Sequence, residues 1–307
     1  MNDPLVSVFC LAYNHEKYIK DALDGVVNQI TTFDYEIIIH DDASTDLTTD
    51  IIKEYSNRFG DKIVPIIQTQ NQYSKGVSVV DIMSKVARGK YVAFCECDDY
   101  WCDTNKLQKQ VEFLEKHYEY SACTCMSCFL NCRTGRKNVP FCVKQDVDIS
   151  FEDIVDWEIR HYQTSSLVLR KQFLKLPKEF YMNGVGDYPR AIYLALNGKI
   201  RYISSVMNVY RVFSENSWSV QNVGDKKRMA FNYNNRAKLL ERINDYTNGR
   251  YKEIFLKKYN EEMFYYEIMN ENYNKAKKDY REVYNKLELK QRIKINIKIM
   301  LSYLKFE

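Results

Sequence analysis

Two hydrophobic periods alternate along the first third of the chain. Short, continuous apolar runs predict buried strands, and apolar positions that recur every three or four residues between them predict helices. The predicted strands are Leu5–Leu11, Tyr35–His40, Ile63–Ile67 and Tyr91–Cys95, and the predicted helices are Tyr18–Gln29, Thr48–Phe59 and Val77–Ala87. Strands that alternate with helices of this length form βαβ units. We therefore predict an α/β fold with a mostly parallel sheet flanked by helices.

The rest of the chain is less regular and divides near residue 224. Strand-like runs recur at Tyr120–Leu130, Ser165–Leu169 and Ile200–Met207, and a helix is predicted from Asp187 to Leu196. Beyond residue 225 the chain is rich in Tyr, Lys, Glu and Asn, and its helical periodicity predicts an extension of about two to four helices. We predict a first domain over 1–224, with halves at about 1–117 and 118–224, and a helical C-terminal extension over 225–307.

The composition narrows the class of protein. The 307 residues carry 45 Lys and Arg against 41 Asp and Glu, and this weakly basic balance gives no reason to expect a nucleic-acid partner. No apolar stretch approaches about 20 residues, so we expect no transmembrane helix. Nine cysteines cannot all pair. Because the N-terminus also lacks a basic run followed by an apolar run, we expect reduced thiols and a cytoplasmic protein.

Four of the cysteines, Cys123, Cys125, Cys128 and Cys132, lie close together in the sequence. Their spacing leaves a zinc site open as an alternative. However, Cys123 and Cys125 alternate with their neighbours as strand residues do, and no His lies in the run. We therefore interpret this segment as a buried strand.

Polar and acidic residues follow three of the predicted strands. Tyr13 and Asn14 follow the first strand, the segment Asp41–Asp46 follows the second, and Glu96–Asp99 follows the fourth. In an open parallel sheet, ligands bind beyond the carboxyl ends of the strands. A single acidic loop is often a helix cap or a solvated turn, but two acidic clusters at one edge of a sheet indicate a binding site.

The segment Glu96–Asp99 indicates the chemistry of that site. It places three carboxylates within four residues, which repel one another unless a cation lies among them. A divalent cation such as Mg²⁺ takes one or two carboxylates together with substrate phosphates. The chain contains neither a G-x-x-x-x-G-K-[ST] loop nor a G-x-G-x-x-G fingerprint. A phosphate-containing ligand would therefore be held through a metal rather than by a glycine-rich loop.

Taken in order, these motifs resemble those of the family 2 inverting glycosyltransferases, which have the GT-A fold. The resemblance runs from about residue 4 to 220 and is carried by Val6-Ser7-Val8 leading to Tyr13-Asn14, by Asp41-Asp42-Ala43-Ser44-Thr45-Asp46, and by Glu96-Cys97-Asp98-Asp99-Tyr100-Trp101. Glu96 stands where the family usually has Asp. The segment Lys106–Gln110 resembles a subgroup common in bacterial polysaccharide biosynthesis. The resemblance implies a sugar transferase that depends on Mn²⁺ or Mg²⁺.

The resemblance assigns residues to the nucleotide, the metal and the leaving group. Phe9, Ala12, Tyr13 and Asn14 would bind the nucleotide-sugar, with the backbone around Phe9 to Tyr13 lining the pocket for the nucleobase. Asp42, or its neighbour Asp41, would accept a hydrogen bond from the base. Asp98 would contact the ribose or the metal, and Asp99 would hold the metal on the diphosphate. Arg211 would stabilise the leaving diphosphate with its positive charge.

Asp187 is the candidate general base. Inverting transfer needs a carboxylate that deprotonates the acceptor hydroxyl on the face opposite the leaving group. Asp187 follows a Gly-rich loop and aligns with the acidic residue that the family has there, although the same position also suits a helix N-cap. On the acceptor side, the resemblance points to His161, Thr164 and Trp101.

The end of the chain carries a pattern of its own. Between residues 287 and 305, Leu and Ile alternate with Lys and Arg. A basic amphipathic helix of this kind can lie on an anionic membrane surface, which would hold a cytoplasmic protein peripherally on the inner face of the cell membrane. The alternative is a helix that docks on the catalytic domain or on a second subunit of a homo-oligomer.

These observations predict an inverting glycosyltransferase. It would move a sugar from a nucleotide-diphospho-sugar to a hydroxyl of a glycan or lipid-linked acceptor in surface polysaccharide biosynthesis. Two alternatives stay open at this point. One is a sugar-nucleotidyltransferase, which also combines a parallel sheet with acidic metal ligands. The other is a non-catalytic protein that binds sugar nucleotides or glycans, since a fold does not by itself fix a function.

Overall fold

The computed structural model describes residues 3–140, 142–156, 163–215, 220 and 225–303. Its strands are β1 Val6–Ala12, β2 Tyr35–Asp41, β3 Ile63–Ile67, β4 Tyr91–Glu96, β5 Tyr100–Trp101, β6 Tyr120–Asn131, β7 Lys137–Asn138, β8 Val147–Ile149, β9 Val168–Arg170 and β10 Lys199–Val212. Its helices are α1 Ile19–Val27, α2 Thr48–Phe59, α3 Val79–Ser84, α4 Lys106–Lys116, α5 Phe151–Asp156, α6 Tyr188–Asn197, α7 Lys226–Tyr246, α8 Lys252–Met269, α9 Tyr273–Asp279, α10 Arg281–Lys286 and α11 Leu289–Tyr303.

The predicted βαβ order of the first third of the chain is confirmed. The described strands form one sheet in the order β3-β2-β1-β4-β9-β6-β10-β5, with β7 paired to β6 and β8 paired to β10. The neighbouring strands among β3, β2, β1 and β4 are all parallel. The buried faces of α1 and α2 carry the apolar positions expected from the helical spacing. The α/β fold class predicted from the sequence is therefore correct.

The second half of the sheet departs from simple parallel order. Strand β9 lies antiparallel between β4 and β6, whereas β10 pairs parallel to β6. The predicted strand from Ser165 to Leu169 is only partly correct, because residues Thr164–Ser166 form a 3-10 turn before β9. Cys123 and Cys125 lie buried in β6, as the strand interpretation of the cysteine-rich segment predicts.

A buried carboxylate joins the N-terminal ends of β1 and β2 to the start of β4. Glu36 accepts hydrogen bonds from the Ser7 hydroxyl at 2.7 Å, from the Arg88 backbone N–H at 2.7 Å and from the Arg88 guanidinium at 2.8 Å. Burial alone would raise the pKa of Glu36. The hydrogen bonds from Arg88 and Ser7 outweigh it and hold that pKa below its ordinary value. This network stabilises the sheet at the end opposite the predicted site.

The chain divides into two compact units. The sheet unit comprises Met1–Leu176 and Ala191–Gln221, and the helical unit comprises Pro177–Arg190 and Asn222–Glu307. A cluster of Phe264, Ala276, Tyr284 and Ile295 forms a core of the helical unit. The division into a first domain over 1–224 and a helical extension over 225–307 stays a prediction.

The C-terminal extension holds more helices than its periodicity indicated. Its described residues form five helices, α7 to α11, rather than two to four. The helices break where Asn248 and Glu271 adopt positive φ angles of 51° and 63°, and no proline marks either break. Among the described residues, none of the helices combines the length and the apolar character that a membrane span requires.

Candidate active site

The carboxyl ends of three neighbouring parallel strands bring the predicted motifs together. Ala12 at the end of β1 pairs with Asp41 at the end of β2, and Leu11 pairs with Glu96 at the end of β4. The loops that follow these strands therefore leave the sheet at one edge. This juxtaposition is the one that the sequence pattern predicted.

The loops after β1 and β2 are joined by reciprocal hydrogen bonds. The Asn14 backbone N–H donates to Ser44 Oγ at 2.9 Å, and Asn14 Oδ1 accepts from the Thr45 backbone N–H at 2.8 Å. The Glu16 backbone N–H donates to Asp46 Oδ2 at 3.1 Å. Asn14 has a φ of 55°, a left-handed conformation that Asn tolerates better than most residues. Asn14 and Asp46 thus fix the shape of this edge.

The two adjacent aspartates at the end of β2 have different roles in the structure. Asp41 is fully buried, and its carboxylate accepts hydrogen bonds from the Ser44 backbone N–H at 3.1 Å and from the hydroxyls of Ser44 and Thr49. It shapes the turn that leads into α2. Because its oxygens are enclosed by these donors, Asp41 is a poorer candidate for the nucleobase than Asp42.

Asp42 orders the loop that follows β3. Its Oδ1 accepts from the Gln72 backbone N–H at 2.7 Å, and its Oδ2 accepts from the Tyr73 backbone N–H at 3.1 Å. The Asn71 side-chain amide donates to the Asp42 carbonyl oxygen at 3.1 Å. Asp42 is also buried, at 4% exposure, but a carboxylate has about four lone-pair sites, so two donors leave it more capacity to accept from a ligand than the three donors leave Asp41.

The remaining residues of the predicted nucleobase pocket contribute in different ways. The Phe9 side chain is fully buried and packs edge-on against Phe94, with the ring centroids 5.7 Å apart. Ala12 is also buried, whereas the Tyr13 side chain is 40% exposed. Tyr13 is therefore the ring of this set that a base can reach.

The acidic loop after β4 presents one accessible aspartate and one buried aspartate. The loop turns through a 2.9 Å hydrogen bond from the Asp99 backbone N–H to the Glu96 carbonyl oxygen. Asp98 is half-buried, and its Oδ2 accepts from the Ser214 hydroxyl at 2.9 Å. Asp99 is fully buried, and its Oδ1 accepts from the Arg211 backbone N–H at 2.8 Å. Burial, followed by the charge of Asp98, raises the pKa of Asp99 well above its ordinary value.

These carboxylates fit a cation that is held mainly by its phosphate ligand. In the part of the chain that the structure describes, no three His, Cys, Asp or Glu side chains are grouped so that they could hold a metal ion. Mg²⁺ in nucleotide sites is commonly bound by one or two carboxylates plus phosphate oxygens. Asp98, which is half-buried, suits that role. Asp99 is enclosed in the protein and suits a supporting one.

Arg211 holds the acidic loop after β4 in place. Its guanidinium donates to the Asp98 carbonyl oxygen at 3.0 Å and to the Asp21 carboxylate. It also lies against the rings of Tyr18 and Tyr100, at 5.1 Å and 4.6 Å from their centroids. Only 7% of the Arg211 side chain is exposed. These contacts favour a bracing role over the direct contact with the diphosphate that the sequence resemblance implied.

A histidine that the sequence analysis left without a role lies beside this loop. Burial lowers the pKa of His15, and the charges of Asp98, Asp46 and Asp41 act in the opposite direction. Its backbone N–H donates to Thr48 Oγ1 at 2.8 Å. The one signal in the sequence was its position directly after Tyr13-Asn14, at the end of the first predicted strand.

On the acceptor side, a 3-10 turn packs against the acidic loop. Thr164 lies in this turn and is nearly buried. The next residue, Ser165, accepts the Glu96 backbone N–H on its Oγ at 3.0 Å, and its carbonyl oxygen accepts the Trp101 indole N–H at 2.7 Å. Trp101 is therefore a buried support for the turn. His161 lies outside the described residues.

Asp187 belongs to the helical unit. It is half-buried and directly precedes Tyr188, the first residue of α6. The loop before it turns through Gly184 and Gly186, whose φ angles are 77° and 58°. A side chain at Gly184 would also approach Asn232 Oδ1 to 2.6 Å. Gly184 is thus required both by the turn and by the packing of the loop on α7.

Comparison with known proteins identifies the family. The family model described as glycosyl transferase family 2 matches residues 7–175. The chain belongs to this family. A protein of Mycobacterium tuberculosis that carries no assigned function is 33% identical over 257 residues, which cover 80% of this chain and 69% of the relative.

Other relatives and solved structures are similar over different lengths. The Escherichia coli enzyme WfaP, named a UDP-Glc:alpha-D-GlcNAc-diphosphoundecaprenol beta-1,3-glucosyltransferase, is 40% identical over 112 residues, or 36% of this chain and 41% of WfaP. The structure of S. aureus TarS 1–349 with UDP-GlcNAc superposes with a TM-score of 0.59 at 17% identity, over 96% of this chain and 87% of the TarS 1–349 chain. The structure of the Pyrobaculum calidifontis mannosyltransferase PcManGT in complex with GDP-Man and Mn²⁺ superposes with a TM-score of 0.54 at 13% identity. The superposition covers 99% of this chain and 88% of the PcManGT chain. The family 2 chain therefore has the GT-A fold.

Proposed function

We propose that this glycosyltransferase moves a sugar from a nucleotide-diphospho-sugar to an acceptor hydroxyl with inversion, in the biosynthesis of a surface polysaccharide. The observation that carries the proposal is the meeting of Tyr13, Asp42 and Asp98 at one edge of the sheet in a family 2 chain. The sugar nucleotides bound by TarS and PcManGT support this class of donor. The names of WfaP and of the putative teichuronic acid biosynthesis glycosyltransferase TuaG of Bacillus subtilis support a role in surface polysaccharide biosynthesis.

The nucleoside of the donor would lie against the loops after β1 and β2. Tyr13 offers the exposed ring for the base, and base–aromatic stacking contributes about 1–3 kcal/mol. Asp42 is already fixed by two backbone N–H groups of the loop after β3, so its remaining lone pairs are held in place to accept an N–H of the base. Asn14 keeps the two loops together.

The diphosphate would lie above the loop after β4. Asp98 would hold Mn²⁺ or Mg²⁺, whose chemistry when bound is to offset the negative charge that develops on the departing diphosphate. Asp99 would hold Asp98 in position by fixing the loop to the backbone of Arg211. The guanidinium of Arg211 secures the same loop through the Asp98 carbonyl oxygen. Both residues act on the donor through Asp98.

Asp187 is proposed as the general base. Its carboxylate takes the proton of the acceptor hydroxyl as the acceptor oxygen forms a bond to the anomeric carbon. The bond between that carbon and the diphosphate oxygen breaks, and its electron pair leaves with the nucleoside diphosphate. Because the attack comes from the face opposite the leaving group, the anomeric configuration inverts. The half-buried position of Asp187 before α6 supports this role.

The acceptor is proposed to be a glycan or a lipid-linked glycan, reached at the inner face of the cell membrane from the cytoplasm. Membership of the glycosyl transferase family favours transfer over the sugar-nucleotidyltransferase alternative. Asp98, Asp99 and the proposed base Asp187 together favour a catalyst over a protein that only binds sugar nucleotides, because binding alone needs no base.

A thermal-shift screen tests the donor proposal. Ligands that bind only the folded state raise its stability by RT ln(1 + [L]/Kd). UDP and GDP would be compared with and without Mn²⁺, and with adenosine diphosphate as the control for charge alone. We expect one of the first two to raise Tm more strongly when Mn²⁺ is present. Equal shifts for all three nucleotides, or no effect of Mn²⁺ on any of them, would contradict the proposal.

A further inference from the structure

The helix α11 exposes an apolar stripe along one face. Leu289, Ile293, Ile297 and Met300 are 67%, 49%, 47% and 58% exposed. Their spacing of four, four and three residues places them on one side of the helix. Apolar side chains are common on protein surfaces as single residues, but a continuous row on one helix indicates an interaction site.

The opposite face of α11 already packs on the helical unit. Ile295 is buried in the cluster that contains Tyr284, and Ile299 packs against the same cluster. Asn296 lies between this face and the stripe, and its Oδ1 accepts from the Tyr284 hydroxyl at 3.0 Å and from Lys277 Nζ at 2.9 Å. These contacts fix the rotation of the helix about its axis. The stripe is therefore held outward, and it is not part of this core.

A row of lysines borders the stripe. Lys290, Lys294 and Lys298 each follow a stripe position by one residue, and all three are exposed. The helix contains no Asp or Glu. Between residues 273 and 303 the chain has nine Lys or Arg and three Asp or Glu, although the whole protein carries a net charge of only +4. Positive charge is thus concentrated around α11.

We propose that this face of α11 binds an anionic lipid surface. The stripe would enter the boundary between headgroups and acyl chains, and the lysine row would lie among the negative headgroups. A second copy of the chain fits less well, because stripe-to-stripe pairing would bring lysine rows together without acidic partners on the same helix. This inference adds a membrane partner to the proposed function. It rests on that function only for the reason why the enzyme would work at a membrane, and the binding itself is argued from α11 alone.

Sedimentation of the full chain with vesicles tests the inference without any donor or acceptor. We expect the protein to pellet with vesicles of equal parts phosphatidylcholine and phosphatidylglycerol, and to stay in the supernatant with phosphatidylcholine alone. High salt should release it, since the Debye length shrinks to about 3 Å at 1 M. Absence of pelleting with the anionic vesicles at low salt would overturn the inference, whatever the turnover of sugar donors.

Two sets of variants separate the apolar and the charged contributions. The double variant Ile293→Gln/Ile297→Gln should lose most of the binding at any salt concentration. Replacing Lys290, Lys294 and Lys298 by Gln should weaken the partition constant by roughly fivefold for each lysine, which corresponds to about 1 kcal/mol per cation near an anionic leaflet. All five side chains are exposed, so circular dichroism and Tm should stay at wild-type values.

Leu256→Gln is the matched control. Leu256 is 51% exposed on α8 in the same unit, but it lies outside the stripe. This variant should pellet as the wild type does. Equal loss of binding in the control would contradict a specific face. Sedimentation velocity of the same proteins without vesicles tests whether a second copy of the chain binds the stripe instead. A wild-type dimer that becomes monomeric in Ile293→Gln/Ile297→Gln would assign the stripe to that second copy and overturn the lipid proposal.

Discussion

The backbone N–H of Arg211 donates to Oδ1 of Asp99 over 2.8 Å, although the two residues are 112 positions apart in the sequence. This bond joins the end of β10 to the loop after β4. Because the Arg211 guanidinium also holds the Asp98 carbonyl oxygen, the position of the accessible aspartate is set from β10. The bond favours the proposal that Asp99 supports the loop and that Asp98 contacts the donor.

Asp98 and Asp99 should respond differently to the same conservative substitution. Asp98→Asn removes the charge that would hold the metal, and we expect a loss of Mn²⁺-dependent nucleotide affinity of roughly a hundredfold. Asp99→Asn retains an oxygen that can accept the Arg211 N–H, so nucleotide affinity should change only a few-fold. Titration calorimetry with and without Mn²⁺ measures both variants. If Asp99→Asn lost more Mn²⁺-dependent nucleotide affinity than Asp98→Asn, Asp99 would be the metal ligand instead.

Arg211→Lys distinguishes a brace from a ligand of the diphosphate. Lysine keeps a positive charge but lacks the planar fork that Arg211 uses toward Asp98 and Asp21 and between the rings of Tyr18 and Tyr100. We expect Tm to fall and the KM for the donor to rise together. Asp21→Asn is the control, because Asp21 is largely exposed and its loss leaves the other contacts of Arg211. An unchanged Tm with a higher KM would show a direct contact.

Much of this site could be predicted because it rests on local sequence. Apolar runs followed by Tyr13-Asn14, Asp42 and Asp98 define strands and the loops at their ends, and the parallel order of the strands then brings those loops together. The burial of Asp99 beside the half-buried Asp98 could not be predicted, since it depends on Arg211, which lies 112 positions further along the chain. Burial, not residue type, separates two adjacent aspartates.

Other features were hidden for similar reasons. Strand β9 runs antiparallel between β4 and β6, and nothing in its short apolar segment indicates a direction. Trp101 was predicted on the acceptor side, whereas its indole N–H donates to the Ser165 carbonyl oxygen inside the protein. The carboxylates around His15 come from two separate segments, since Asp41 and Asp46 lie at the end of β2 and in the loop after it, and Asp98 lies in the loop after β4.

Asp187 can be tested as a base independently of its position at the start of α6. Asn caps helices about as well as Asp does, but it cannot take up a proton at neutral pH, so Asp187→Asn should leave Tm nearly unchanged. General-base assistance is typically worth about 10²- to 10⁴-fold, and kcat should fall by that order while nucleotide affinity holds. Asp187→Ala should lose the same rate and also some stability. Near-normal turnover of Asp187→Asn would show that Asp187 is only a cap.

Glu36 gives the fold a predictable dependence on pH. Its folded-state pKa lies below the ordinary value, so its stabilising effect is present above about pH 4.3, the pKa expected in the unfolded chain, and is lost as the pH falls through the folded-state pKa. Glu36→Gln should lower the free energy of unfolding at neutral pH by about 1–3 kcal/mol. The gap between variant and wild type should narrow in acid. Urea denaturation at neutral and acidic pH measures this, and a gap that widens in acid would refute the assignment.

The stereochemistry of donor hydrolysis tests the central claim most directly, because it needs no knowledge of the acceptor. The protein would be incubated with Mn²⁺ and an α-linked UDP- or GDP-sugar that it turns over slowly with water as the acceptor, and the released sugar would be followed by proton NMR before mutarotation. Inverting transfer predicts that the β anomer appears first. First appearance of the α anomer would contradict the single displacement proposed for this glycosyltransferase.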